Sequence, residues 1–275
     1  MSIEQNQGER GAPPARSASA AGRGGEAAHR LEKRTHLNTS KFKIILRNYG
    51  NGLAEIGWSF VGTVTPSKAS KGLSVQRDDH ELRAQRRAKS RIRQLILATN
   101  ADHMLTLTYR ENVTNFEQAC ADLSKFVRIV KRKLPGWQYI AVPEQQQRGA
   151  WHWHIAVCGR QDVDLLRSAW RRVVGEGNID VSPPKGHGDK KALSLVRYLG
   201  KYLVKGFQDG NRELNGRRYR ASLGIVIPET MLTLPRDQRG NVASFALQSL
   251  YDAAGNVGHV WESDQSVAGW ACSWK

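Results

Sequence analysis

Cysteine is scarce in this sequence, which contains only Cys120, Cys158 and Cys272 among 275 residues. The number is odd and no two of them are spaced as C-x-x-C, so the sequence predicts neither a disulfide framework nor a thiolate zinc module. We expect three reduced thiols, with Cys120 and Cys158 inside packed elements.

Long apolar runs are also missing, because no uninterrupted apolar segment reaches the length that a membrane span requires. The N-terminal residues lack the charged and then apolar order of a secretion signal. These absences predict a protein of the cytosol with no membrane partner. A nucleotide-binding G-x-x-x-x-G-K-[ST] loop is absent as well, and the G-x-G at residues 175–177 is too short a pattern to replace it.

Acidic residues are the third deficit, since 25 Asp and Glu stand against 42 Lys and Arg and give a formal net charge of +17. An excess of this size indicates a polyanionic partner, and nucleic acid is the first candidate. The hydrophobic share of 40% is enough for a folded core. Composition therefore predicts a soluble globular protein that binds nucleic acid.

The first hundred residues divide into two segments. Residues 1–36 are rich in Gly, Ala, Ser, Arg and Glu with almost no large apolar residue, so we predict a disordered basic tail. Residues 37–100 combine a hairpin, whose turn lies at residues 49–52, with a basic helix that runs towards Leu97.

The basic helix has two interpretations. Its positive side is either a solvated helix face or an arm that follows phosphate groups. On the second interpretation the DNA contacts would come from Arg86, Arg87 and Arg91.

Residues 101–225 alternate strand and helix patterns. The predicted order is a strand at 103–109, a helix capped by Asn115, two hairpin strands at 137–145 and 149–157, a helix begun by Asp162 or Asp164, a strand at 178–181 and a helix at 193–206. This order predicts an α+β fold, a central antiparallel sheet with its helices packed on one side. Residues 226–275 form a C-terminal extension without a readable role.

Two histidines one residue apart lie in the strand pattern at 149–157. Because side chains alternate along a strand, His152 and His154 share one face. The opposite face is apolar and carries Trp151, Trp153 and Ile155. In a hairpin centred near Arg148, Glu144 lies across from His152. One carboxylate and two imidazoles form a three-ligand metal set with positions left open for water and substrate, whereas a satisfied surface pair of histidines is the alternative.

The last predicted helix carries a doubled Tyr-x-x-Lys. At 100° per residue, Tyr198, Lys201, Tyr202 and Lys205 fall within an arc of about 100°. An amphipathic helix with rim tyrosines and solvated lysines is one interpretation. The other is phosphoryl transfer, because a nearby cation favours the phenolate and neutralises charge on a phosphate.

The spacing favours Tyr202 for the first cut. Lys201 precedes Tyr202 and Lys205 follows it by one turn, which predicts two cations near its phenol. Tyr198 has Arg197 and the more distant Lys201.

Three motifs together resemble the HUH endonucleases. His152-Trp153-His154 matches their His-hydrophobic-His motif, residues 105–109 resemble their first motif, and the Tyr-x-x-Lys helix resembles their third. The order along the chain is also the same. The resemblance covers about residues 101–207 and is greatest to the rolling-circle replication initiators of phages and bacterial plasmids.

The resemblance implies a ferredoxin/RRM-like palm, an endonuclease domain at 101–225 and a divalent metal, Mg²⁺ or Mn²⁺, on the two histidines. Glu144 fits the third ligand position. The two lysines of the helix would steady the phosphate or the phenolate. Further DNA contacts are expected from Arg148 and Arg197.

The implied function is initiation of rolling-circle replication in the cytosol of a bacterial host. Single-stranded or hairpin origin DNA would be nicked through a 5′-phosphotyrosine link, and the free 3′-OH would prime a host DNA polymerase. A host helicase would separate the strands, in keeping with the missing nucleotide-binding loop.

Three other functions remain open. A transposase of the same chemistry usually carries a cysteine zinc module when it has paired tyrosines, and this sequence has none. A plasmid-transfer relaxase usually carries its nucleophile ahead of the histidines. A non-catalytic nucleic-acid-binding module explains the charge and the aromatic residues without any metal.

Overall fold

The computed structural model of the chain describes residues 41–62, 77–183, 188, 190–208, 218–264 and 267–275. The predicted tail at residues 1–36 lies outside the described residues. Residues 40–275 form one compact unit.

The described elements include strands and helices from both ends of this unit. The strands are β1 Lys41–Gly50, β2 Leu53–Val61, β3 His103–Tyr109, β4 Ile140–Gln145, β5 Trp151–Val157, β6 Gly177–Ser182, β7 Arg220–Ala221, β8 Thr230–Pro235, β9 His259–Glu262 and β10 Ala268–Cys272. The helices are α1 Arg77–Ala98, α2 Phe116–Lys133, α3 Val163–Val174, α4 Lys190–Gln208 and α5 Val242–Ala254.

The caps of the middle helices form as their sequences predict. The side chain of Asn115 accepts a hydrogen bond from the backbone N–H of Gln118, which satisfies one of the free donors at the start of α2. Asp162, one of the two candidates for the start of α3, accepts in the same way from the N–H of Leu165. The bounds of β3 and α2 therefore agree with the sequence pattern.

The sheet that carries the candidate site has the strand order β6-β3-β5-β4-β7, with antiparallel neighbours. In the β4–β5 hairpin Glu144 pairs with His152 and Val142 pairs with His154, so the predicted register is confirmed. Gly149 has a φ of 87° in the turn, where residues with a side chain are strained. The α+β prediction is also confirmed.

The helices pack on both faces of this sheet, so the prediction that they lie on one side is wrong. α2 and α3 cover the face of Trp153 and Ile155, in a core that includes Phe126 and Trp170. α1 and α4 cover the other face, around Ile140. An amphipathic helix buries one stripe, but its sequence does not specify which face of a sheet receives that stripe.

The other sheet has the strand order β8-β1-β2-β10-β9. It joins the N-terminal hairpin to the C-terminal extension, because β8 pairs with β1 and β10 pairs with β2. One face of this sheet packs against α5, around Phe42, Ile44, Ile56 and Trp58. The sequence pattern shows the β1–β2 hairpin but not these long-range partners.

A buried carboxylate links this sheet to α1. Glu55 of β2 has no solvent exposure, and its carboxylate lies 2.8 Å from the guanidinium of Arg93 on α1. The hydroxyl of Tyr49 donates a hydrogen bond to the same carboxylate. A buried charge needs this degree of pairing, so the contact holds α1 against the hairpin in one arrangement.

Two further expectations can be compared with the structure. The three cysteines are free thiols, but Cys158 is exposed, because it lies just after β5, so its predicted place inside a packed element is wrong. No helix in the described part of the chain is long and apolar enough to cross a membrane.

Candidate active site

The two histidines of β5 lie on the sheet face that α1 and α4 cover. Their exposed fractions are 8% for His152 and 5% for His154. The Nε2 atom of His154 lies 2.7 Å from the Oε2 atom of Glu144 on the neighbouring strand. On the other side, Nδ1 of His154 lies 3.5 Å from the hydroxyl of Thr106 on β3. The imidazole of His154 is therefore oriented by groups on both neighbouring strands.

Glu144 is also held by the helix above it. The ammonium of Lys205 on α4 donates a hydrogen bond of 2.7 Å to the second carboxylate oxygen of Glu144. Burial alone would raise the pKa of Glu144, but the hydrogen bonds with His154 and Lys205 lower it to about 2. Glu144 is therefore an anion at neutral pH.

His152 has a nitrogen without a partner in the described part of the chain. Its Nε2 atom is buried and makes no hydrogen bond there. Burial, together with the nearby charges of His154 and Arg148, lowers the pKa of His152, while Glu144 acts in the opposite direction. The result is a neutral imidazole with an uncommitted nitrogen, which is the form that binds a metal ion.

These residues match a divalent cation in chemical type. Two imidazole nitrogens and a carboxylate are ligands that Mn²⁺ accepts, and the orphaned nitrogen of His152 is explained by such a ligand role. Among the described residues, however, no group of three or more His, Cys, Asp or Glu side chains already forms a metal-binding arrangement. Glu144 is engaged by Lys205, so this carboxylate must exchange partners for the three ligands to converge.

The two tyrosines of α4 contact this group directly. The ring of Tyr202 stacks on the imidazole of His154 with centroids 3.8 Å apart and an interplanar angle of 15°. The hydroxyl of Tyr202 donates a hydrogen bond of 2.7 Å to the hydroxyl oxygen of Tyr198. Both phenols thus lie beside the metal-ligand candidates, one turn apart on the same helix.

The expected effect of nearby cations on Tyr202 is not found. Burial, the hydrogen bond to Tyr198 and the negative charge of Glu144 all raise the pKa of Tyr202. The ammonium of Lys205 is bound to Glu144, and Lys201 is exposed. Spacing along the helix was correct, but it does not reveal the carboxylate that attracts Lys205.

The stretch of chain that carries these groups matches one protein family. Residues 102–207 match the model of the family described as replication-associated protein ORF2. Over this stretch, the chain is similar to replication-associated proteins. None of the curated proteins and none of the solved structures compared gives a significant match. The replication-associated stretch, residues 102–207, includes both histidines, the carboxylate and both tyrosines.

The predicted DNA-contact residues are distributed around this stretch. Arg197 on α4 is exposed, as is Arg148 at the tip of the β4–β5 hairpin. The side chain of Arg148 donates to Gln146, and its charge acts on His152, so the tip lies close to the site. Three further arginines, outside the replication-associated stretch, lie on α1, namely Arg86, Arg87 and Arg91; Arg87 and Arg91 are exposed and Arg86 is half-buried.

Thr106 belongs to the site, but its contact with His154 was not predicted. It lies in β3 directly across from His154. The alternation of β3 shows that Thr106 shares a face with Met104 and Thr108, yet the pairing of β3 with β5 involves strands 48 positions apart. Register between distant strands has no local signal, whereas a hairpin turn sets its own register.

Proposed function

We propose that this protein is a rolling-circle replication initiator of the HUH type that nicks single-stranded origin DNA through a tyrosine. The observation that carries the proposal is the position of His154, which is in contact with Glu144 at 2.7 Å and with the ring of Tyr202 at 3.8 Å. A candidate metal ligand and a candidate nucleophile are therefore adjacent. The similarity of residues 102–207 to replication-associated proteins supports the same function.

A divalent cation, Mg²⁺ or Mn²⁺, would be held by His152, His154 and Glu144 and would supply Lewis-acid polarisation of the scissile phosphate. The chain itself supplies position. His154 fixes Tyr202 by stacking, and Tyr202 fixes Tyr198 by its hydrogen bond. Holding a nucleophile beside its target removes much of the entropic cost of the reaction.

The chemical step is a transfer of the phosphoryl group to tyrosine. The phenolic oxygen loses its proton and forms a bond to phosphorus, while the bond from phosphorus to the 3′ oxygen breaks and that oxygen leaves as a free 3′-OH. The 5′ end stays linked to the protein as a phosphotyrosine. Because the number of phosphodiester bonds is conserved, a second transfer can close the strand without ATP.

The tyrosine pair favours Tyr198 for the first cut. A phenolate at Tyr198 keeps the hydrogen bond that Tyr202 donates to it. The Tyr202 phenolate is disfavoured by burial and by the negative charge of Glu144. Tyr202 is then the second nucleophile, which becomes competent once a cation neutralises Glu144.

The two lysines of the motif have different positions and so receive different roles. Lys205 is bound to Glu144, and it becomes available to a phosphate when that carboxylate turns to a metal ion. Lys201 is exposed and can contact the DNA backbone directly. Strand separation and synthesis remain tasks of a host helicase and a host DNA polymerase in the bacterial cytosol.

Nicking of a labelled single strand of origin DNA in Mn²⁺ tests this proposal. We expect His152→Ala and His154→Ala to abolish cleavage, and excess chelator to abolish it in the wild-type protein. His80→Ala is the control, because His80 is an exposed histidine on α1. Undiminished cleavage in chelator would rule out the metal role, and binding without cleavage under all conditions would indicate a non-catalytic module.

A further inference from the structure

A second basic site lies at the β7 edge of the sheet that carries the candidate active site. A groove of about 610 Å³ opens there, between α1 and the segment that contains β7. Three guanidinium groups line it, from Arg91, Arg218 and Arg220. Among the described residues that line the groove there is no Asp or Glu.

The three arginines differ in their availability. Arg218 donates to the carbonyl of Gly206 and pairs with Glu81 at 3.1 Å, so it fixes the wall of the groove. In the described part of the chain neither Arg91 nor Arg220 belongs to an ion pair within 4.0 Å. Two guanidinium groups are therefore available to bind phosphate, and a guanidinium fork matches phosphate geometry.

The groove also offers an apolar surface. Tyr139 and Tyr219 contribute to its walls. At its rim Leu223 is 95% exposed, and Val226 close by is 81% exposed. Exposed apolar side chains beside available guanidinium groups suit a ligand with both charged and flat apolar parts. Single-stranded nucleic acid has this composition, because its bases are not covered by pairing.

The groove and the candidate active site lie along the same strand. Ile140 at the start of β4 pairs with Ala221 of β7, and Glu144 lies four residues further along β4. At about 3.3 Å per residue, these two positions are separated by roughly 13 Å. A strand held in the groove would be within a few nucleotides of the scissile phosphate.

We propose that this groove binds single-stranded DNA next to the segment that is cut, with Arg91 and Arg220 on its phosphates and the tyrosines and Leu223 against its bases. The proposal rests on the proposed function in that the substrate is a single DNA strand. It assigns a binding role to Arg218, Tyr219 and Arg220, which lie outside the replication-associated stretch.

The test measures DNA binding without cleavage. Fluorescence anisotropy with an oligo(dT) strand of about 16 nucleotides, in chelator, compares the wild-type protein with Arg91→Gln/Arg220→Gln. Arg218 is left unchanged because it fixes the wall. Arg128→Gln/Arg172→Gln is the matched control, with the same loss of charge from exposed positions on α2 and α3, which pack on the opposite face of the sheet.

We expect the groove variant to bind about fivefold to tenfold more weakly and to lower the slope of log affinity against log salt by about 1.4, which is about 0.7 for each of two phosphates. The control variant should change both quantities much less. Equal losses in the two variants, or an unchanged affinity of the groove variant, would overturn the proposal. An equal loss for duplex DNA of the same length would overturn the preference for a single strand.

The outcome is independent of the tyrosine chemistry, because no bond is cut in chelator. A wild-type protein that binds through the groove but never cleaves would contradict the proposed function and leave the groove intact. Circular dichroism and thermal unfolding of both variants confirm that a loss of binding is not a loss of fold.

Discussion

Glu144 has two neighbours and two oxygens, and each oxygen is already bound. His154 contacts one oxygen and the ammonium of Lys205 contacts the other, both at 2.7 Å. A metal ion at this position would be a second cation beside Lys205, and like charges at such distances repel. Lys205 therefore competes with a metal ion for the same carboxylate.

This competition predicts the effect of removing the ammonium. Lys205→Met should bind Mn²⁺ more tightly than the wild-type protein, by about threefold to tenfold, which corresponds to about 1 kcal/mol of relieved charge repulsion. Isothermal titration with Mn²⁺ measures the affinity directly. Lys201→Met is the control, because Lys201 lies on the same helix but is exposed. An unchanged affinity in Lys205→Met would show that Lys205 does not compete with the metal ion.

The hydrogen bond between the tyrosines predicts a division of labour. Tyr198→Phe should reduce the first cleavage at least about tenfold, because the favoured nucleophile is lost, whereas Tyr202→Phe should retain most of it. Single-turnover cleavage of a labelled strand measures this step. The opposite pattern, with Tyr202→Phe inactive and Tyr198→Phe unchanged, would return the first cut to Tyr202.

At the scale of elements, local signals predicted most of the candidate site. The β4–β5 hairpin has its own turn, so the pairing of Glu144 with His152 could be predicted from the sequence. The caps at Asn115 and Asp162 are equally local. The contact between Glu144 and Lys205 could not be predicted, because it depends on how α4 lies across the sheet. The same reason explains why the pairing of β1 with β8 was missed.

The start of β3 depends on a carboxylate. Asp102 accepts hydrogen bonds from the backbone N–H of Gly159 at 2.7 Å and from His103 at 2.8 Å. Burial would raise the pKa of Asp102, but these hydrogen bonds lower it. A lowered pKa in the folded state means that the carboxylate stabilises the fold above its unfolded pKa of about 3.9, and that this contribution is lost as the pH falls through the folded value.

Asp102→Asn should therefore be less stable than the wild-type protein at pH 7, by about 1–2 kcal/mol, and the difference should shrink below about pH 4. Urea unfolding at both pH values measures it. A difference that stays constant across this range would contradict the assignment of the lowered pKa to Asp102.

The sheet outside the replication-associated stretch has a close contact at Gly269. A Cβ atom at this position of β10 would overlap the indole of Trp58, which is 2% exposed in the core beneath α5. Gly269→Ala should lower the free energy of unfolding by about 1–3 kcal/mol, because the indole must move. Gly240→Ala is the control, since a Cβ there meets no atom within 4 Å. Equal unfolding free energies for the two variants would show that Trp58 shifts without cost.

At the scale of the whole molecule, positive charge extends beyond the candidate active site. The formal net charge is +17, and exposed arginines lie on α1, on the hairpin tip and on α4. Charge on several surfaces predicts that many phosphates are contacted at once, so affinity for single-stranded DNA should fall at least about tenfold between about 50 and 200 mM salt. Anisotropy across this range measures the slope, and a flat dependence would point to a different partner.

A covalent link between DNA and tyrosine is the central claim, and one measurement addresses it directly. The protein is incubated with a labelled origin strand and Mn²⁺, denatured, and examined for a labelled adduct, whose attachment residue is located by mass spectrometry of the peptides. We predict an adduct on Tyr198 in the wild-type protein, a residual adduct on Tyr202 in Tyr198→Phe, and none in Tyr198→Phe/Tyr202→Phe. An adduct of full yield in the double variant, or cleavage by the wild-type protein with no adduct at all, would contradict the mechanism.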